Sequence, residues 1–176
     1  MHMFHDVLVS FAERRVISMC DNQALREKNR ATIEEFFKRH GEARAELFDI
    51  DGTKELTYAA NGGAPQRWEG KSEVLKNFTA NKTFFPKWSW NIISIDETQD
   101  PDKFWVEAIG SGEQQIAGCP EPTKYENHYV ICFKMKDGLI LEMREINNPL
   151  KLMMAFGVEL PKMPDAKQDT EELLDK

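Results

Sequence analysis

The feature that most limits what this chain can fold into is a change of hydrophobic period at Pro86. Before it, apolar residues recur at helical spacing; after it, they alternate residue by residue almost to Asn147. NQALREKNRATIEEFFKRHG, capped by Asp21 or Asn22, predicts a helix whose apolar side is Leu25, Ile33, Phe36 and Phe37, ended by Gly41. A second helix is expected from Gly70 or Ser72 to Phe85, with Val74, Phe78, Asn81 and Phe85 as its inner stripe and Asn77 beside Phe78. Beyond Pro86, KWSWNIISI and DKFWVEAIGSGEQQIAG read as strands joined through ETQDPDK. KYENHYVICFKM and LILEMREIN read as a third and a fourth. Helices followed by antiparallel strands define an α+β class with the helices on one face of the sheet. A long twisted sheet curls around such helices and leaves a pocket between helix and sheet, a usual place for a small ligand.

One domain is expected over residues 22–163. It is preceded by a helical extension over 1–21, striped by Val7, Leu8, Phe11, Ala12, Val16 and Ile17, and followed by a polar tail over 164–176. The 176 residues, 41% hydrophobic, suit a single core. A formal charge of −7 speaks against sequence-independent binding of nucleic acid. Cys20, Cys119 and Cys132 lack ligand spacing and read as reduced thiols, so no metal is expected. There is no apolar run long enough to span a bilayer, and no cleavage site follows Val7–Ala12; a cytoplasmic location is the expectation.

The last hairpin decides which side chains face the pocket. Tyr125, Tyr129, Ile131, Phe133 and Met135 share one phase, interrupted by Asn127, and Leu139, Leu141, Met143, Glu145 and Asn147 share another. A two-residue Asp137-Gly138 loop would set Lys136 opposite Leu139. A three-residue Lys136-Asp137-Gly138 loop instead pairs Met135 with Leu139, Ile131 with Met143 and Tyr129 with Glu145, and this register is the expectation. Glu145 then points inward, while Glu142, Arg144 and His128 point out. A carboxyl in an apolar hollow has its pKa raised by desolvation, which suits it to move protons near neutral pH. Tyr125 and Tyr129 would place phenols there, and the Asn77 and Asn81 amides would reach it from the helix. The outward phase of the same strands, with Lys134, Lys136, Glu142 and Arg144, is too charged for an apolar protein-docking face.

Asp49-Ile50-Asp51-Gly52-Thr53 has the look of a phosphotransferase nucleophile motif. That motif needs a buried strand before it and a helix after it. GEARAE and KELTYAANGGAP supply neither, so the segment is read as a turn bending at Asp51-Gly52.

LREKNRATIEEFFKRHG, ELF-x-x-DG, FFPKWSWNIISIDETQDPDKFWVE and YENHYVICFKMKDGLILEMREINNP together resemble the phenazine-biosynthesis A/B proteins. These belong to the cystatin-like group that includes nuclear transport factor 2 and the SnoaL polyketide cyclases. The resemblance implies a cone-shaped sheet wrapped around N-terminal helices, a homodimer, and no organic or metal cofactor. It implies an activity: two molecules of an amino-oxo-cyclohexene carboxylic acid condense, each amine attacking the other's ketone. The family's acid/base glutamate falls on Glu145, its tyrosine on Tyr125, and its arginine on Arg44, a carboxylate anchor. The family's helical His and Ser fall on Asn77 and Asn81, which cannot take up a proton near neutral pH. A differently specific or non-catalytic small-molecule binder, or an isomerase, is the alternative these two positions favour.

Overall fold

A computed structural model describes residues 22–59, 64–115 and 121–159. Helix α1 covers 22–38 and is followed by a 3₁₀ segment, Gly41–Leu47. Then come β1 (Phe48–Leu56), β2 (Gln66–Glu69), α2 (Lys71–Phe84), β3 (Lys87–Glu97), β4 (Lys103–Gln114), β5 (Thr123–Lys136), β6 (Leu139–Asn147) and a short α3 (Pro149–Ala155). The strands form one curved sheet of six in the order β2-β1-β6-β5-β4-β3. The expected 1–21 extension and 164–176 tail lie outside the described residues, as do Cys20 and Cys119.

The α+β class and both central helices stand as the periodicity requires. Alternation on β4 and β5 buries Phe104, Val106, Ala108, Ile131, Phe133 and Met135 on one face, against Ile33, Phe36 and Phe37 of α1 and Val74 and Phe78 of α2. Phe36 sits at the centre, with ring centroids 5.3 Å from Phe37, 5.6 Å from Phe133 and 5.9 Å from Phe78. Full burial of such a ring contributes roughly 2–3 kcal/mol. Helix α1 is held along its length by polar ties to two hairpin ends. Arg26 donates to the carbonyls of Thr98 and Gln99, and Asn29 to the Pro101 carbonyl and the Asp102 carboxylate. Lys28 and Thr32 donate to the carbonyls of Asp137 and Gly138.

Three local readings are corrected. The β5–β6 turn is the two-residue loop, with Asp137 at φ 54° and Gly138 at φ 85°, both in the left-handed region that a type I′ turn requires. Lys136 does face Leu139, and Met135 faces Ile140. A bulge at Leu141 then restores the phase, so Phe133 meets Met143 and Ile131 meets Glu145, while Tyr129 meets Asn147. Ile140, not Leu139 or Leu141, fills the core, yet Glu145 still points inward.

Asp49–Thr53 is not a free-standing turn but part of β1. Between Phe48↔Ile140 and Thr53↔Glu142, the four residues 49–52 stand opposite Leu141 alone. Asp49 accepts from the Asp51 amide at 3.0 Å and lies 3.4 Å from Lys136 Nζ, so its carboxylate is already engaged. The sheet is mixed, because β1 pairs with β6 in parallel; every other pairing is antiparallel. Strands β1 and β2 and helix α3 carry no sustained apolar period, so the pattern of residues does not announce them.

Candidate active site

Strand β1 and strand β6 lie side by side, with Lys54 level with Met143 and Leu56 level with Glu145. Both Lys54 and Glu145 take the inward phase and are buried, at 3% and 9% exposure. Lys54 Nζ donates to Glu145 Oε2 at 3.0 Å. The ammonium also sits 4.7 Å from the centre of the Trp68 ring and 5.8 Å from that of Phe78. Glu145 therefore lines a hollow that opens to solvent, and the hollow is not merely apolar: it carries a built-in cation. Lys54 has no sequence signal as a site residue, since a lone charged residue in a strand without an apolar period looks like surface.

The hollow has two lobes of about 370 and 480 Å³. Both are lined by Lys54, Asn81, Phe85, Tyr129 and Glu145, which marks the place where the lobes meet. The first lobe runs toward Arg44, Trp88 and Trp90; the second runs toward Trp68, Asn77, Tyr125 and Asn147. The first lobe's wall depends on a glycine. A Cβ on Gly110 would lie 2.2 Å from Trp88 Cζ2 and 2.9 Å from Trp90 Cζ3, so only a bare backbone lets both indoles come this close to β4.

Arg44 has two duties. Its Nε donates to the carbonyls of Phe36 at 3.2 Å and Arg39 at 2.8 Å, covering the C-terminal end of α1. Its guanidinium lies over the Phe36 ring at 5.1 Å, and Nη2 is buried with no hydrogen-bond partner among the described residues. Burial pulls the Arg44 pKa down to about 10, against the opposing pull of the Glu145 carboxylate. Trp90 Nε1 is likewise buried without a partner. Both residues line the first lobe, and a carboxylate is the acceptor a guanidinium fits best.

The tyrosines meet where β5 passes the lobes. Their hydroxyls are 3.4 Å apart, and Asn127 Nδ2 donates to Tyr125 Oη at 2.8 Å. Asn127 thus keeps to the inward phase instead of breaking it, and it ties the strand to Asn148 as well. Desolvation raises the pKa of Tyr125 and pushes that of Tyr129 well above its ordinary value. Both stay as neutral phenols. Across the hollow, Asn81 Nδ2 donates to Asn77 Oδ1 at 3.2 Å, so the two amides face inward as a bonded pair. His128 is on the outer surface, 2.7 Å from Glu107. Of the residues expected at the site, Arg44, Asn77, Asn81, Tyr125, Tyr129 and Glu145 all line the hollow. Among the described residues, no cluster of three or more His, Cys, Asp or Glu side chains is placed to hold a metal ion.

The curved sheet folded over helices is a fold shared with SnoaL-like proteins. A SnoaL-like polyketide cyclase from Jannaschia sp. CCS1 superposes with a TM-score of 0.61 at 20% identity, over 76% of this chain and 94% of that one, a likeness of fold. The likeness to one branch is far more specific. The family model for phenazine biosynthesis protein A/B matches residues 11–170, and the chain belongs to that family. Phenazine biosynthesis protein PhzB of Pseudomonas fluorescens is 35% identical over 144 residues, covering 80% of this chain and 88% of that protein. The crystal structure of a phenazine biosynthesis-related protein (phzb2) from Pseudomonas aeruginosa superposes with a TM-score of 0.76 at 33% identity, over 84% of this chain and 97% of that one.

Proposed function

We propose that this protein acts in phenazine biosynthesis, condensing two molecules of an amino-oxo-cyclohexene carboxylic acid, with Glu145 carrying the protons. The observation that supports it is the position of Glu145, at the junction of two lobes that each suit one small ring. A ring in each lobe brings amine and ketone together beside one carboxylate, and such positioning alone supplies much of a condensation's rate. Arg44, which lines the first lobe, takes the carboxylate of the ring bound there. Tyr125, Tyr129, Asn77 and Asn81 offer uncharged donors and acceptors that orient rings without moving protons near neutral pH. Burial limits water, which would return the imine to its parts.

The reading includes a homodimer in the cytoplasm and needs no cofactor for its acid/base steps. No helix among the described residues is long and apolar enough to cross a membrane. A second reading, a binder or isomerase of different specificity, is favoured by the Asn77–Asn81 pair, since neither amide takes up a proton near neutral pH. Glu145→Gln decides between them. The condensing enzyme loses about 10²–10⁴-fold in product formation while its circular dichroism stays native; unchanged turnover refutes the role given to Glu145. A pure binder keeps ligand-induced thermal stabilisation and shows no acceleration in the unmodified protein either.

A further inference from the structure

Three ionisable side chains line both lobes: Lys54, Tyr129 and Glu145. Glu145 has its task and Tyr129 stays a neutral phenol. Lys54 is unaccounted for, and its presence is physically costly. Burying an ammonium–carboxylate pair roughly breaks even against apolar side chains of the same shape. Beside Trp68 and Phe78, a methionine would fill the position as well. Among the described residues, Nζ makes one hydrogen bond, to Glu145, although an ammonium carries three N–H donors. Lys54 lines both lobes, and a ketone whose carbon is attacked by an amine from the other lobe has its oxygen near where they meet.

We propose that Lys54 is a catalytic residue that polarises the ketone: its Nζ donates to the carbonyl oxygen of a cyclic keto acid bound at the junction, while Glu145 serves the attacking amine. This rests on the condensation reading above and gives the electrophile a partner that reading lacks. In the first step the amine lone pair forms the C–N bond and the C=O π pair moves onto oxygen, where the Lys54 ammonium steadies the growing charge. Glu145 takes one proton from nitrogen and passes it to that oxygen, giving the carbinolamine. Glu145 then takes the second nitrogen proton and delivers it to the hydroxyl, which leaves as water while the C=N bond forms. Amine plus ketone becomes imine plus water; both nitrogen protons end on oxygen, Lys54 keeps its own, and no electron acceptor is required.

The test uses carbonyl-¹³C 3-oxocyclohexane-1-carboxylate, a stable keto acid without an amine, with binding followed by calorimetry and the carbonyl stretch by difference infrared spectroscopy. On the full chain the bound stretch is expected below that of the probe's methyl ester in cyclohexane. Glu145→Gln, which keeps Lys54, is expected to retain the lowered stretch. Lys54→Met/Glu145→Gln, which removes both members of the ion pair together, is expected to lose it. An unlowered stretch in the bound full chain overturns the role of Lys54. A lowered stretch that persists in the double variant also overturns it, because a donor other than Lys54 then polarises the carbonyl. Failure of the probe to bind the full chain at all overturns the reading of the hollow as a keto-acid site, and this proposal with it.

Discussion

The Lys54–Glu145 pair makes a sharp claim about how dry the junction of the two lobes is. Lys54→Met leaves a carboxylate that is 9% exposed without its cation, and Glu145→Gln leaves an ammonium that is 3% exposed without its anion. At 3.0 Å the pair's attraction is about 5 kcal/mol for an effective dielectric constant near 20. Removing one partner from a buried pair costs about 3–5 kcal/mol, because the survivor keeps its desolvation penalty. The amide introduced by Glu145→Gln would still accept one hydrogen bond from Nζ, so that variant belongs at the low end and Lys54→Met at the high end. The double variant Lys54→Met/Glu145→Gln removes both charges of the pair and should fall within about 2 kcal/mol of the unmodified protein. The expected result is therefore strong non-additivity, a coupling of at least about 2 kcal/mol, measured by urea unfolding with the m-value checked for constancy. Single variants that each cost under about 1 kcal/mol and simply add would refute the reasoning. They would mean that water reaches the pair freely and that the junction is no place for an imine.

Arg44→Met removes a guanidinium whose burial lowers its pKa to about 10, a mismatch worth about 3 kcal/mol that partly offsets the loss of its two bonds to the end of α1. The variant is expected to unfold within about 2 kcal/mol of the unmodified protein, yet to bind 3-oxocyclohexane-1-carboxylate at least about 10-fold more weakly by calorimetry; equal affinity would remove Arg44 from the site. Tyr129 and Tyr125 hold raised pKa values, so the unfolded chain loses their protons at a lower pH than the folded one. Stability linked to them is whole below pH about 10 and falls as the pH rises above it; Tyr129→Phe should flatten that alkaline decline in urea midpoints, and an unaltered slope would count against its burial.

How much of this could be read from residues alone depends on whether a side chain obeys its element's period. The strands after Pro86 do: their alternation identifies the inward face, and with it Tyr125, Tyr129 and Glu145. Helix α2 does too, which brings Asn77 and Asn81 to the hollow. The hairpin shows the limit. Asp137-Gly138 is a strong two-residue turn, but by simple alternation it sets Lys136 against the core; the conflict is removed by the bulge at Leu141, which no local pattern announces. Strand β1 is hidden for a related reason. Its inward position at Lys54 is charged, and Ile50, its apolar residue in the excursion at 49–52, is 75% exposed. Lys54 becomes intelligible only beside Glu145, a partner 91 positions away.

The ties along α1 have a consequence for how the protein is made. The helix leaves the ribosome early, but the carbonyls it grips belong to residues 72, 73, 106 and 109 positions further on. Until the final hairpin emerges, Ile33, Phe36 and Phe37 have only part of their cover, and the helix is tied only through Arg26 and Asn29 to the β3–β4 turn. A nascent chain halted before Asp137 would display that greasy stripe to whatever is nearby, so translation of the last strands is the interval in which this protein most needs a chaperone's shelter.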